Sequence, residues 1–510
     1  MKKKIIIIGA GVSGLSLAAR LLYKGFDVVI YEKNSRIGGK TSIIKSGNFK
    51  FDLTASIAMM PEDLINTFKY CGKNYKNYFS LTPLTPLYRC FYYDNSFYDF
   101  HSDFSLLNRT LKSITRHDFD DIYGYYNFLT ANYHKYLQIN NNILGRSFIK
   151  PYNLFRSSVL KNIDDLNVLS SCTSECKKDI KNQKLFEFLM FQSMYIGMSP
   201  FNSSSIFNTI PASTQMEGLY YIKGGMYNYI LALKKLVIEL GGTIKTCNEI
   251  SDILFNKNNV YGVMCHDKVI KCDAVVCSCD YTNTMTKLIK DKNIKSLFKS
   301  KKKHEYSCSV FMLYLALDKK YPILKVHNIY INKDFKKNIN AAFKGVLPNN
   351  PSLYIYCPSS IDDSLCPEGC STINIMIRVP NLSYEKINWN FELCLKIKKK
   401  ILDILSSIKT MEDIKEHILY DNFLTPMDLR DKLNLYHGAA FGISPLLKEN
   451  LILRPQCNNP KVKNLYFTGA DTHPGNGISL CLKSSKICAE KIIKDYTTEP
   501  SKKKLFNLNK

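Results

Sequence analysis

Three glycines at positions 9, 11 and 14, with a carboxylate eighteen residues further on at Glu32, have the spacing in this chain most directly tied to chemistry. A glycine at 9 permits a tight turn, one at 11 lets backbone come against a pyrophosphate, and one at 14 lets a following helix pack close to a strand. The amides of Val12 and Ser13 then open a helix whose positive end suits phosphate. Glu32 stands where a carboxylate accepts hydrogen bonds from ribose hydroxyls, with Lys33 beside it. The chemistry implied is the binding of a dinucleotide.

Each flanking piece agrees. Residues 4–8 are continuous, β-branched and apolar, as a buried parallel strand requires. Residues 13–23 read as a helix stopped at Gly25, and 27–31 as a second strand. Arg36, Gly38, Gly39 and Lys40 follow, adding flexible backbone and positive charge. This doublet resembles the extended FAD motif of the amine oxidase and carotenoid desaturase superfamily, and favours FAD over NAD.

The chain has 510 residues, enough for two or three domains, with 45% hydrophobic and 22% charged residues. Its formal net charge is +26. That charge reads either as solvated lysine-rich faces or as attraction to an anionic membrane, at roughly 1 kcal/mol per Lys near such a surface. No nucleic-acid motif accompanies it. Seventeen cysteines at irregular spacing, without a secretory start, imply reduced thiols in the cytoplasm. Cys172, Cys176, Cys277 and Cys279 lack zinc spacing and read as packing residues, so no metal is expected. No apolar run reaches the roughly 20 residues of a membrane span.

Downstream, 49–52 reads as a strand and 61–78 as an amphipathic helix. Residues 101–200 are helix-rich. The stretch 185–198 is nearly all apolar behind Lys177, Lys178, Lys181 and Lys184. It reads as a membrane-facing patch, as a buried helix lining a tunnel, or as both together. A helix is expected up to 240, then strands at 243–250, 260–265 and 271–277. Strand patterns dominate 307–318 and 353–379, a helix covers 391–409, and the last dozen residues are polar.

With these pieces placed, the chain resembles the bacterial carotenoid (phytoene) desaturase family, in its C30 branch, the 4,4'-diapophytoene (dehydrosqualene) desaturases. The likeness runs from about 5 to 494. It is carried by Met59-Met60-Pro61, Tyr195-Ile196-Gly197-Met198, Lys223-Gly224-Gly225-Met226-Tyr227, Phe423-Leu424-Thr425-Pro426 and the stretch Leu465 through Ile478. The resemblance implies an α/β (α+β overall) chain with three parts. A Rossmann-like FAD-binding domain spans 1–80, 218–290 and 455–497. A mixed-sheet substrate domain spans 81–100 and 291–454. A helical lid or membrane subdomain spans 101–217, and 498–510 is a flexible tail.

It also implies stepwise desaturation of a long polyene hydrocarbon by FAD, at the inner membrane surface. By resemblance Ile250 meets adenine, and Gly469, Ala470 and Asp471 meet the ribityl and phosphate groups. Gly477 and Ile478 open a helix facing the flavin ring. His473 is expected near that ring, as a substrate-side base or as a turn-stabilising group. The chain departs from the usual family residues at Thr54-Ala55-Ser56, Asp471, Asn476, Ser479 and Lys483. A C40 phytoene desaturase, a carotenoid end-group oxygenase and a non-catalytic flavin-binding scaffold are the alternatives.

Overall fold

The computed structural model describes residues 2–149, 167–298 and 303–497. At its centre is a five-stranded parallel sheet in the order Leu465–Phe467, Ala274–Cys277, Lys4–Ile8, Asp27–Tyr31, Thr243–Lys245. The isoleucine run is apolar throughout because both faces of this sheet are covered. Ile5 and Ile7 join a core formed with the helices Val12–Tyr23, Met226–Glu239 and Ile478–Thr497. Ile6 and Ile8 join a second core beneath the antiparallel meander Ile250–Asn256, Asn259–Cys265, Lys268–Lys271.

A seven-stranded sheet forms the other large layer. Its order is Ile418–Leu424, Ser309–Leu317, Ser371–Val379, Leu353–Tyr356, His327–Ile331, Tyr88–Tyr92, Phe97–Phe100. All neighbours are antiparallel except the parallel pair of His327–Ile331 with Tyr88–Tyr92. Asp52 ties this sheet to the nucleotide side. Its buried carboxylate caps Met226–Glu239 by accepting from the amides of Met226 (3.0 Å) and Tyr227 (3.1 Å). The Tyr356 hydroxyl donates to the same group at 3.3 Å.

Several sequence expectations change. The helix foreseen over 61–78 is Pro61–Tyr70, because Gly72 at φ +68 turns the chain. The strand foreseen over 243–250 is two strands with a turn between, since Cys247 takes φ +55. The stretch 353–379 is likewise two strands, joined by 3-10 turns at Pro358–Ser360 and Asp363–Leu365. The apolar stretch 185–198 resolves in favour of burial. Its helix, Gln183–Gln192, buries every residue from Leu185 to Gln192, including Glu187. It presents no membrane face. The polar tail at 498–510 lies outside the described residues.

All seventeen cysteines are unpaired thiols. Among the described residues no group of acids, histidines and cysteines could hold a metal, and no helix is long and apolar enough to cross a membrane.

Candidate functional site

One cavity of about 850 Å³ runs from the C-terminal ends of the central parallel strands to the inner face of the seven-stranded sheet. That is where open parallel sheets bind ligands. Gly9, Gly11, Val12, Ser13, Glu32 and Lys33 line one end, with Gly38, Gly39 and Lys40. Ile250, Gly469, Ala470, Asp471, Gly477 and Ile478 line it too.

The glycines are there for steric reasons. Gly9 takes φ +102, a conformation L side chains avoid. A Cβ on Gly14 would lie 2.3 Å from the Gly9 carbonyl oxygen, so the helix can approach its strand only without one. A Cβ on Gly11 would meet nothing within 4 Å, which leaves that backbone open to a ligand. Gly38 donates its amide to Ala10 O at 2.9 Å and bridges Gly11, so the two glycine turns close on each other. No side chain caps the helix that starts at Val12. Its first amides therefore remain for an anion. Ser278 Oγ, also on the wall, is buried with no partner among the described residues. Glu32 is held in place by the amides of Ala10 (2.9 Å) and Asn34 (3.0 Å), one on each carboxylate oxygen. These features fit a dinucleotide diphosphate with a ribose beside it.

Three expected residues stand elsewhere. Gly14 is packed behind the turn and acts through steric clearance. Arg36 donates to Ile43 O at 3.1 Å and pins the following hairpin, so its charge does not line the cavity. His473 also lies off the wall. Its ring meets Phe148 edge-on at 5.2 Å, Nε2 is 3.3 Å from Ile143 O, and burial pulls its pKa down to about 4. The ring packs on Phe148 rather than on the cavity wall, so it does not meet the site where the base was expected.

The departures from the family pattern have local reasons. Thr54 Oγ1 donates to Lys40 O at 2.8 Å, and Ser479 Oγ donates to Met59 O at 2.9 Å. The loop between is thus clamped to the nucleotide turn at one end and to the C-terminal helix at the other. Asn476 donates to Phe441 O (2.9 Å) and Ile196 O (3.2 Å). Asp471 accepts from the amides of Tyr281 (3.0 Å) and Ile443 (2.9 Å), and joins two cavity loops. A Cβ on Gly442 would be 2.1 Å from the Asp471 carboxylate, so Asp471 in this position excludes a side chain at 442. Lys483 pairs with Asp63 at 2.7 Å, both largely shielded from solvent.

Sequence reasoning missed Asp280. It follows the strand Ala274–Cys277, lines the cavity, and accepts from the amides of Asn283 (2.9 Å) and Tyr436 (2.9 Å). Burial, with Asp471 nearby, raises its pKa to about 7. Its place at the end of a parallel strand was the available signal. The far end of the cavity was also missed. It is walled by Ile57, Met59, Ile196, Ile210, Met376 and Phe441, from distant parts of the chain.

Comparison with known proteins follows this geometry. The model of the family described as flavin containing amine oxidoreductase matches residues 12–493. The 4,4'-diapophytoene desaturase (4,4'-diaponeurosporene-forming) of Staphylococcus aureus strain Newman is 34% identical over 505 residues. That alignment covers 96% of this chain and 99% of the relative. The chain belongs to the diapophytoene desaturase-like carotenoid desaturases within the flavin-containing amine oxidoreductase family.

This desaturase is thus an FAD-dependent oxidoreductase acting on CH–CH bonds. Solved structures agree on the fold. Cyclohexylamine oxidase from Brevibacterium oxydans superposes with a TM-score of 0.62 at 12% identity, covering 97% of this chain and all of its own. An oxidoreductase from Methanosarcina mazei gives 0.58 at 15% identity, covering 96% and 100%.

Proposed function

We propose that this carotenoid desaturase acts on a C30 precursor, 4,4'-diapophytoene, and extends its conjugation to diaponeurosporene or diapolycopene. FAD, when bound, accepts a hydride from a C–H bond of the substrate. Residues 11–13 and 38–40 would hold its diphosphate, Glu32 its ribose and Ile250 its adenine. Gly469, Ala470, Asp471, Gly477 and Ile478 would meet its ribityl and ring groups. The helix N-terminus at Ile478 would favour negative charge on the ring.

The observation carrying this reading is the continuity of the cavity. The glycine turns open directly into a wall of methionine, isoleucine and aromatic side chains. A hydrocarbon has no polar handle, so its recognition rests on shape and apolar burial, at about 25 cal/mol per Å². The likeness to a relative named for that substrate supports the chain length.

The substrate would arrive from a membrane surface. Phe119 (77% exposed) and Tyr123 (75%) lie one turn apart on Phe119–Ile139, and Tyr126 on the same face meets the half-exposed Phe104 at 6.0 Å. Exposed Arg116 and Lys112 stand close by in sequence. Exposed aromatic side chains suit a membrane interface, although Asp118 and Asp120 flank Phe119 and offset the two cations.

Expression beside a C30 precursor synthase in a colourless host tests the function. A coloured polyene lighter by pairs of hydrogens is expected. Unchanged precursor with FAD-loaded protein would overturn the C30 reading, and a C40 synthase in a parallel strain would show whether chain length is the error. Flotation with anionic liposomes tests docking, and Phe119→Ser with Tyr123→Ser should weaken it severalfold.

A further inference from the structure

Ser56, on the cavity wall, lies 2.9 Å from Tyr354 Oη, and Tyr354 Oη lies 2.8 Å from His327 Nδ1. Tyr354 also lines the cavity, whereas His327 lies behind it, 1% exposed. These three residues come from a loop and from two paired strands, at sequence separations of 298 and 27. His327 Nε2 has no hydrogen-bond partner among the described residues. A buried imidazole kept only for structure would ordinarily satisfy both nitrogens. Its ring stacks on Tyr356 at 5.4 Å, and the Tyr356 hydroxyl reaches the buried Asp52 carboxylate. The imidazole thus lies flat on a phenol whose hydroxyl is hydrogen-bonded to a buried carboxyl.

Ser56 is also well placed along the cavity. It lies in the loop whose Met59 carbonyl accepts from Ser479, in the first turn of the helix that opens at Ile478. The apolar wall of Ile57 and Met59 flanks it.

We propose that Ser56, Tyr354 and His327 form a proton-accepting relay for the desaturation, with Ser56 as the group that meets the substrate and the other two acting through it. The inference rests on the desaturase reading above. Loss of a hydride, taken up by the bound FAD, leaves a substrate cation, which must lose a proton from the adjacent carbon. That C–H bond breaks, and its electron pair becomes the new C=C bond. The proton goes to Ser56 Oγ, the Ser56 hydroxyl proton passes to Tyr354 Oη, and the Tyr354 proton passes to His327 Nδ1. One proton thus moves from substrate to imidazole, and no bond to the protein is made. After product leaves, the same chain run backwards returns the proton to water in the cavity. Burial lowers the His327 pKa to about 3, so the ring is neutral at rest and gives the proton back readily. A C–H bond beside a carbocation is a far stronger acid, so even this weak base suffices.

The test uses the FAD-loaded full chain with 4,4'-diapophytoene in lipid vesicles, in anaerobic single turnovers. Flavin bleaching reports hydride loss, and polyene absorbance reports proton loss. In Ser56→Ala and Tyr354→Phe, bleaching is expected within threefold of the parent, with polyene appearance at least tenfold slower. Equal slowing of both signals, or no change in either, would overturn the relay. Absence of bleaching in the parent protein would instead remove the desaturase reading, and the relay with it. A second measurement does not depend on turnover. The ¹⁵N-imidazole spectrum, with His327 assigned through His327→Gln, should show Nδ1 unprotonated and shifted by Tyr354→Phe. A proton resident on Nδ1 would reverse the direction of the chain and overturn the proposal.

Discussion

At the nucleotide end of the cavity the wall is backbone. Gly9, Gly11 and Gly38 expose their main chain, and the Glu32 carboxylate is immobilised by two amides. At the far end the wall is side chains, from Ile57 and Met59 through Tyr354 to Met376. The first end is closed behind its turn, where a Cβ on Gly14 would meet the Gly9 carbonyl oxygen at 2.3 Å, and open only where Gly11 faces the ligand. The second can exchange one apolar group for another at modest cost. Cofactor choice should therefore be brittle and substrate choice adjustable.

The largest effect should come from Gly14→Ala. Its Cβ would be driven against the Gly9 carbonyl, a backbone atom that cannot swing aside. We expect at least a hundredfold loss of FAD affinity, read as the ratio of flavin to protein absorbance after purification. If Gly14→Ala retains stoichiometric flavin, the contrast between a rigid and a plastic end fails.

Glu32→Ala should come next. It leaves the amides of Ala10 and Asn34 without their acceptors, at about 1–3 kcal/mol for each buried group. FAD affinity should fall tenfold to a hundredfold, by fluorescence titration, while a Met376→Leu exchange at the far end leaves it unchanged. A matching loss in Met376→Leu would show that the two ends are not independent.

The comparison also explains what could be read in advance. The nucleotide end is local: strand, turn, helix, strand and acid fall within forty residues, and each type has a steric or electrostatic reason to stand where it does. Arg36 misled because sequence gives its charge but not its direction, and a carbonyl at Ile43 claims the guanidinium. The far end is assembled from residues hundreds of positions apart. Tyr354 and Met376 sit on strands whose alternation marks them only as buried, and nothing in periodicity pairs Ser56 with Tyr354. The stretch 185–198 was ambiguous because a helix buried on every side and one that enters lipid have the same composition. The packing of neighbouring helices around it decides the matter.

Between the ends lie the carboxyl groups of Asp280 and Asp471, and the first of them makes stability depend on pH. The folded pKa of Asp280, about 7, is above its ordinary value of 3.8 because burial and the neighbouring carboxylate penalise ionisation. A raised folded pKa means that the folded state binds more protons than the unfolded chain between those values. The contribution is fully present below about pH 4 and is lost as pH rises through 7. Asp52, raised to about 6, acts in the same sense. Unfolding should therefore occur several degrees lower at pH 8 than at pH 5.5, by differential scanning fluorimetry. Asp280→Asn should flatten the slope, although it sacrifices one of the two accepted amide bonds. An unaltered slope would assign the dependence to Asp52 and the other carboxyls that burial raises, Asp63, Glu187 and Glu217.

The smallest effect is expected at His473. A substrate-side base would lose orders of magnitude in turnover when replaced. This imidazole instead packs on Phe148, and its Nε2 lies a long 3.3 Å from the Ile143 carbonyl oxygen. His473→Asn should lower the unfolding midpoint by a few degrees, in line with about 1 kcal/mol for one hydrogen bond and some lost packing. Pigment formation per bound flavin should stay within twofold of the parent. A larger fall would mean that the turn carrying His473 moves to meet the substrate, and the side-chain end of the cavity would then reach further along the C-terminal segment than its walls indicate.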